Sequence, residues 1–371
     1  MPFPSPGSAF TGSLLTLAFV CTSLSCAAPI DDSQGVSESD LVAGADLGSL
    51  AGASGTSQAF AINATGTIVG FSTDAAGTTR AVTWVNRRLS ALPLPAGTTA
   101  SVALDVNATQ VAVGWRRDAS GRTRAVRWTG VASVADLAPS FDGDSTAEAI
   151  NDRGEIVGWA RPVAGAKSAV RFVNGDVVGV LPPDPDGLSV AADIGNRATG
   201  TNSILGQAGA RTPFEQGNTA PGTPGNFMTL PVPPGTSYTG VNGASGDGNA
   251  AVGWFRISTG PRRASLWTAR VVPPNTFPSS WTVQDLATLG GPSSTANGID
   301  PSGAIVVGTS DRTSGAPHAF SRRVGSSMVD LGALTSDPGC ASAAFAINAA
   351  GTIVGYSCTS GSSGRHAAVW N

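Results

Sequence analysis

Apolar and polar positions in this chain recur in short alternating runs, not in helical stripes. The phrase Ile-Asn-x-x-Gly-x-Ile-Val-Gly starts at Ile62, Ile150 and Ile347, and looser copies end at Gly114, Gly206, Gly253 and Gly308. The seven glycines that close these phrases (the first at Gly70, the last at Gly355) are spaced 44, 44, 48, 47, 55 and 47 residues apart. A second phrase, Ala-x-x-Trp or its Phe variant, follows at Ala81, Ala125, Ala169, Ala264 and Ala367. A third carries a leucine, at positions 47, 92, 137, 181, 230, 286 and 331. Each period thus predicts four short strands: a, a small-residue run ending at the Asn; b, the Ile-Val-Gly run; c, with the Trp; d, with the Leu. Four strands in a period near 46 residues predict a β-propeller blade.

The a–b connection has readable turn chemistry. Asn63-Ala64-Thr65-Gly66, Asn151-Asp152-Arg153-Gly154, Asp300-Pro301-Ser302-Gly303 and Asn348-Ala349-Ala350-Gly351 share one pattern. Asn or Asp at the first position accepts backbone N–H groups, Pro301 supplies the φ wanted next, and Gly takes the positive φ that closes the turn. The Asn residues are therefore expected to be structural. Small residues on strand a (Ala59, Ala61, Ala147, Ala149, Gly240, Gly298, Ala344, Ala346) suit inner strands crowded about an axis. Trp on c and Leu on d would fill the widening space between blades.

The two ends are complementary. The last repeat stops at Trp370, one strand short, and an unpartnered d strand at 41–50 precedes the first repeat. The predicted fold class is all-β: one seven-bladed β-propeller of four-stranded antiparallel blades over 41–371. The N-terminal outer strand completes the last blade and removes its exposed edge. Cys340 and Cys358 flank the last a–b hairpin symmetrically and are expected to form a disulfide.

The N-terminus reads differently. Residues 1–28 carry the apolar run Leu14–Val20 and then small residues, as in a secretory signal, although the first basic residue of the chain is Arg80. Cleavage after Ala27 and a lipoprotein-type cleavage before Cys26, with lipidation of that cysteine, both stay open. Residues 29–40 are a polar, acidic linker. The protein is expected to be exported, extracellular or associated with the outer membrane or periplasm, and to touch a membrane only through such an N-terminal anchor.

Composition removes several function classes. A net charge of −3 over 371 residues does not fit a nucleic-acid binder. With 48 Gly and 25 Pro the chain is turn-rich, and two His and four Cys without zinc spacing predict neither metal nor cofactor. No nucleophile elbow, Walker loop or dinucleotide fingerprint occurs.

The repeats resemble the bacterial extracellular repeat family named for His-Ala-Phe. His318-Ala319-Phe320 is literal and His366-Ala367-Ala368 close. The family's Asn-x-x-Gly-x-Ile-Val-Gly-x-Ser matches Asn63–Ser72 and Asn348–Ser357, and its Asp-Leu-Gly matches at 46–48 and 330–332. The resemblance covers 41–371 and departs most at 189–234, where the Pro/Gly/Thr-rich run 218–226 stands in place of Ala-x-x-Trp. It implies an exported β-repeat protein and supplies no catalytic residues.

Three sets of residues carry candidate chemistry. Arg80, Arg124, Ser168, Arg263, His318 and His366 align immediately before the strand-c Ala, and a closed ring would make the basic ones an anion-binding rim. The structural reading, strand capping or stacking on Trp, weighs more. Asp105, Glu148 and Asp193 put carboxylates on three successive a strands. Strict alternation would send Asp105 and Glu148 to opposite faces, against a paired-carboxylate site. Asp142-Gly143-Asp144 and Asp184-Pro185-Asp186-Gly187 are fragments of calcium loops without a full ligand set. The reading that follows is a non-enzymatic recognition or adhesion module for a glycan, polymer or protein. A carbohydrate-active enzyme is the runner-up and a purely structural envelope protein the third reading.

Overall fold

A computed structural model describes residues 44–179, 188–197, 202–209, 212–218, 226–272, 277–359 and 364–371. The signal segment 1–28 with Cys26, the linker 29–40 and Asp184–Gly187 lie outside the described residues.

Seven four-stranded antiparallel sheets form a β-propeller, with strands in the order a-b-c-d in each of blades 1 to 6. Blade 1 spans 57–91, blade 2 100–136, blade 3 143–179, blade 4 189–229, blade 5 236–285 and blade 6 290–332. Blade 7 joins Ser342–Ile347, Ile353–Cys358 and Arg365–Trp370 to a d strand from the other end of the chain. That strand, Ala45–Asp46, is shorter than expected; Ala45 faces Val369 and Asp46 faces Ala368. The Leu47 N–H donates to Ala367 O at 2.9 Å and prolongs the ladder. Cys340 and Cys358 are disulfide-bonded with Cα atoms 5.5 Å apart. The only helical turn among the described residues is a 3-10 turn at Gly52–Ser54.

Three kinds of hydrogen-bond ladder join neighbouring blades. Trp84, Trp128, Trp267 and Trp370 are all but fully buried. Three of their indole N–H groups donate to the preceding blade: Trp84 to Leu47 O, Trp128 to Pro93 O and Trp267 to Pro231 O, at 2.7–2.9 Å. These are core anchors, as read from the sequence. A serine ladder runs the other way. The N–H groups of Ala81, Ala125, Ala169, Ala264, Ala319 and Ala367 donate to serine hydroxyls on the next a strand, from Ser101 round to Ser57. Blade 4 has Pro213 at the alanine position, with no N–H to give. Its neighbour correspondingly carries Thr239, whose hydroxyl donates to Trp254 O instead. The third ladder is the turn asparagine. Each Oδ1 accepts N–H groups of its own turn, while Nδ2 donates to the next blade: Asn348 to Asn63 O, Asn63 to Asn107 O, Asn107 to Asn151 O.

Strict alternation fails at one shared place in every a strand, and blades 5 and 6 carry a second irregularity nearer the strand start. The register slips between Ala59 and Ala61, Ala103 and Asp105, Ala147 and Ala149, and at the equivalent step of the other four blades. This bulge explains the glycine of Ile-Val-Gly. A Cβ at any of the seven glycines would lie 1.8–2.2 Å from a carbonyl oxygen of the bulged strand.

Candidate functional site

The bulges point one residue per blade at the axis. Together with their neighbours they ring a cavity of about 490 Å³ to which all seven blades contribute. On one side the bulge residues are apolar: Phe345, Phe60 and Leu104 from blades 7, 1 and 2. On the other they include Glu148, Asn242 and Asn297. Phe60 packs on Phe345 with ring centroids 5.4 Å apart, on Phe71 at 5.9 Å, and Phe345 packs on Tyr356 at 5.8 Å. The result is a four-ring aromatic arc across the closure between blades 7 and 1.

Asp105, Glu148 and Asp193 all line this cavity. The expectation that alternation separates Asp105 from Glu148 is corrected: Glu148 is itself the bulge residue and Asp105 stands just after its blade's bulge residue, Leu104, so both line the cavity. Both oxygens of each aspartate and one of Glu148 are nonetheless occupied. Asp105 Oδ1 accepts the Val106 N–H and Oδ2 the Ile150 N–H of the next blade, both at 2.8 Å. Asp193 does the same with Ile194 and with Ala244 of blade 5, both at 2.7 Å. Glu148 Oε1 accepts the Trp159 indole N–H at 2.8 Å. Burial, reinforced by the charge of Asp193, pushes the Asp105 carboxyl up to about 7. Burial raises Asp193 to about 6 and also raises Glu148. Two of the three acids thus staple adjacent blades, and no group of three or more metal-ligating side chains occurs among the described residues.

The residues proposed for a basic rim occupy equivalent register positions on their c strands, and each has a carboxylate partner. Arg80 pairs with Asp74 at 3.1 Å, Arg124 with Asp118 at 3.4 Å and Arg263 with Asp285 at 3.2 Å. His318 and His366 are buried, with Nδ1 2.7 Å from Asp330 and 2.8 Å from Asp46. The last contact ties strand c of blade 7 to the closing strand. No member stacks on a tryptophan among the described residues; each is held by an aspartate.

A second ring escaped the sequence reading. The residue after each Ile-Val-Gly glycine is Phe71, Trp115, Trp159, Trp254 or Tyr356 in five of the seven repeats. Each is only half-buried, unlike the strand-c tryptophans. Strand b runs away from the a–b turn, so these rings lie on the b–c turn side of the disc. Four have a cation over them: Arg117 over Trp115 at 5.9 Å, Lys167 over Trp159 at 4.0 Å, Arg262 over Trp254 at 4.3 Å and Arg365 over Tyr356 at 4.6 Å. The signal was present as an aromatic residue at a fixed place in the repeat.

No protein-family model matches the chain. No curated protein matches it either. Among solved structures it is similar to a puromycin-hydrolysing peptidase of Mycobacterium tuberculosis, with 12% identity and a TM-score of 0.50. That match covers 78% of this chain and 47% of the peptidase, so the chain spans about half the peptidase's length. It is also similar to a lectin from Burkholderia pseudomallei, with 12% identity, a TM-score of 0.43 and coverage of 83% and 96%. A third is a gluconolactonase from Xanthomonas campestris, with 11% identity, a TM-score of 0.39 and coverage of 71% and 82%. At these identities the likeness concerns the fold, which serves binders and enzymes alike.

Proposed function

We propose that the protein is an exported, non-enzymatic recognition module of the bacterial envelope or extracellular space that binds a glycan on the b–c turn side of its disc. The observation that carries this reading is the half-exposed aromatic ring of Phe71, Trp115, Trp159, Trp254 and Tyr356. Aromatic faces set beside a few polar groups are what a largely apolar sugar face with hydroxyl edges needs. The resemblance to His-Ala-Phe repeats supports export, and the Cys340–Cys358 disulfide is in keeping with an oxidising compartment. No helix among the described residues is long and apolar enough to cross a membrane. The enzymatic alternative draws on Asp105, Glu148 and Asp193, but both oxygens of each aspartate accept backbone N–H groups and Glu148 Oε1 accepts the Trp159 indole N–H. That arrangement favours a stapling role over acid–base work.

The test is a glycan array with the folded propeller, followed by titration of the best hit. The double variant Trp115→Ala/Trp254→Ala is expected to lose at least about tenfold in affinity, since stacking contacts of this kind contribute roughly 1 kcal/mol or more. A silent array, or unchanged affinity in a variant that still unfolds cooperatively, overturns the reading.

A further inference from the structure

We infer that the ligand of this face is an acidic polysaccharide, carboxylated or sulfated, engaged at several blades at once; the inference rests on the glycan reading above. Lys167, Arg262 and Arg365 each stand two residues before the repeat alanine of strand c, in blades 3, 5 and 7. Blade 2 has Thr123 there, and Arg117, the cross-strand partner of Thr123, takes the cation's place. One arrangement, an aromatic ring after the glycine with a cation over it, therefore recurs in four blades.

These four cations differ from the rim beside them. Arg80, Arg124, Arg263, His318 and His366 each have an aspartate partner. Arg117, Lys167, Arg262 and Arg365 have no carboxylate within ion-pair distance among the described residues. Three of them, all but Lys167, are exposed. An aromatic face fixes each charge in place, uncancelled for the three arginines, while Lys167 also feels the Glu148 carboxylate held by the Trp159 indole. An anionic group can then take the cation's free donors while the attached sugar lies against the edge of the ring. The axial cavity carries Asp105, Glu148 and Asp193 and no basic residue in its wall. An acidic chain is thus repelled from the channel and lies across the ring of cations. Recurrence in four blades makes the contacts additive through effective concentration, so a polymer binds far more tightly than its monomer.

The experiment is titration with polygalacturonate, with the same polymer methyl-esterified, and with dextran sulfate against dextran. Polygalacturonate or dextran sulfate is expected to bind at least about tenfold more tightly than its neutral counterpart, with affinity falling as salt rises; which of the two prevails identifies the acid. The triple variant Lys167→Gln/Arg262→Gln/Arg365→Gln is expected to lose at least about tenfold with its melting temperature little changed, because Arg262 and Arg365 are exposed and Lys167 is half-buried. A control, Arg87→Gln/Arg88→Gln/Arg323→Gln, removes three exposed charges from the c–d turn side. Equal losses in the two triples would reduce the effect to diffuse charge and overturn the inference. Equal binding of the neutral and acidic polymers would overturn it while leaving the glycan reading intact. Failure of every acidic and neutral glycan would overturn both.

Discussion

Blades 1 and 2 solve the problem of blade adhesion in one way, and blade 4 in another. In the regular arc, adhesion is neutral and repeated: a turn asparagine, a serine hydroxyl and an indole N–H each find a backbone partner next door. Blade 4 has Gly195, Pro213 and Gln216 where the arc has Asn, Ala and Trp. In their place Glu215 is fully buried and pairs with Arg197, itself almost wholly buried. Ser203 Oγ donates to Glu215 at 2.7 Å and the Trp281 indole N–H at 2.9 Å. The next interface out, between blades 3 and 4, gathers around Glu155, which accepts from Asn151, Arg171 and Asn202 at 2.7–2.9 Å. Distributed neutral bonds fail one at a time; a buried charge network fails as a unit.

Removing the centre of that network should have the largest effect. Glu215→Ala strands a buried guanidinium and is expected to cost about 3–5 kcal/mol in denaturant unfolding. Replacing the pair by Arg197→Met/Glu215→Met is expected to come out near neutral, and a loss as large as that of the single variant would contradict this view of blade 4. In the regular arc, Gly114→Ala drives a Cβ to 2.1 Å from Val102 O, so the bulge must open; a loss of about 1–3 kcal/mol by the same assay is expected. An unchanged midpoint would mean that the bulge yields freely. Asn107→Ala removes one link of a repeated ladder and should cost about 1 kcal/mol.

The channel carboxylates should act through pH, because burial raises both. Asp105 and Asp193 sit near 7 and 6 when folded, against a usual value of 3.8. Their contribution is therefore fully present below about pH 4 and is lost as pH rises toward 7. Melting curves between pH 4 and 8 should show that decline, and Asp105→Asn/Asp193→Asn should flatten it. A slope unchanged in the double variant would mean that other groups carry it.

The comparison also explains what was legible in advance. Blade number, strand order, closure and the disulfide followed from Gly70 to Gly355, Ala-x-x-Trp and the matched deficits at the two ends, because packing imposes those residues in every turn of the wheel. The bulge was not legible: every copy carries it at the same place, so no insertion betrays it, and only its partner glycine leaves a mark. Glu215 was equally hidden, since a lone acid on a strand with no Ala-x-x-Trp offers no period to read. The rim residues were placed correctly around the ring, but their aspartates come from the b–c turns and d strands and are found only through the fold. The aromatic ring and the serines Ser57, Ser101, Ser145 and Ser189, spaced 44 residues apart, could have been read from the repeat.

The contact between Asp46 and His366 bridges 320 positions of the chain. A ribosome therefore makes one half of the seal among the first blade-forming residues and its counterpart only after six blades have emerged, so the nascent wheel must stay open until His366 is made. Moving Ala45–Asp46 to follow Trp370, by joining the ends and cutting elsewhere, would let each blade settle in the order it emerges.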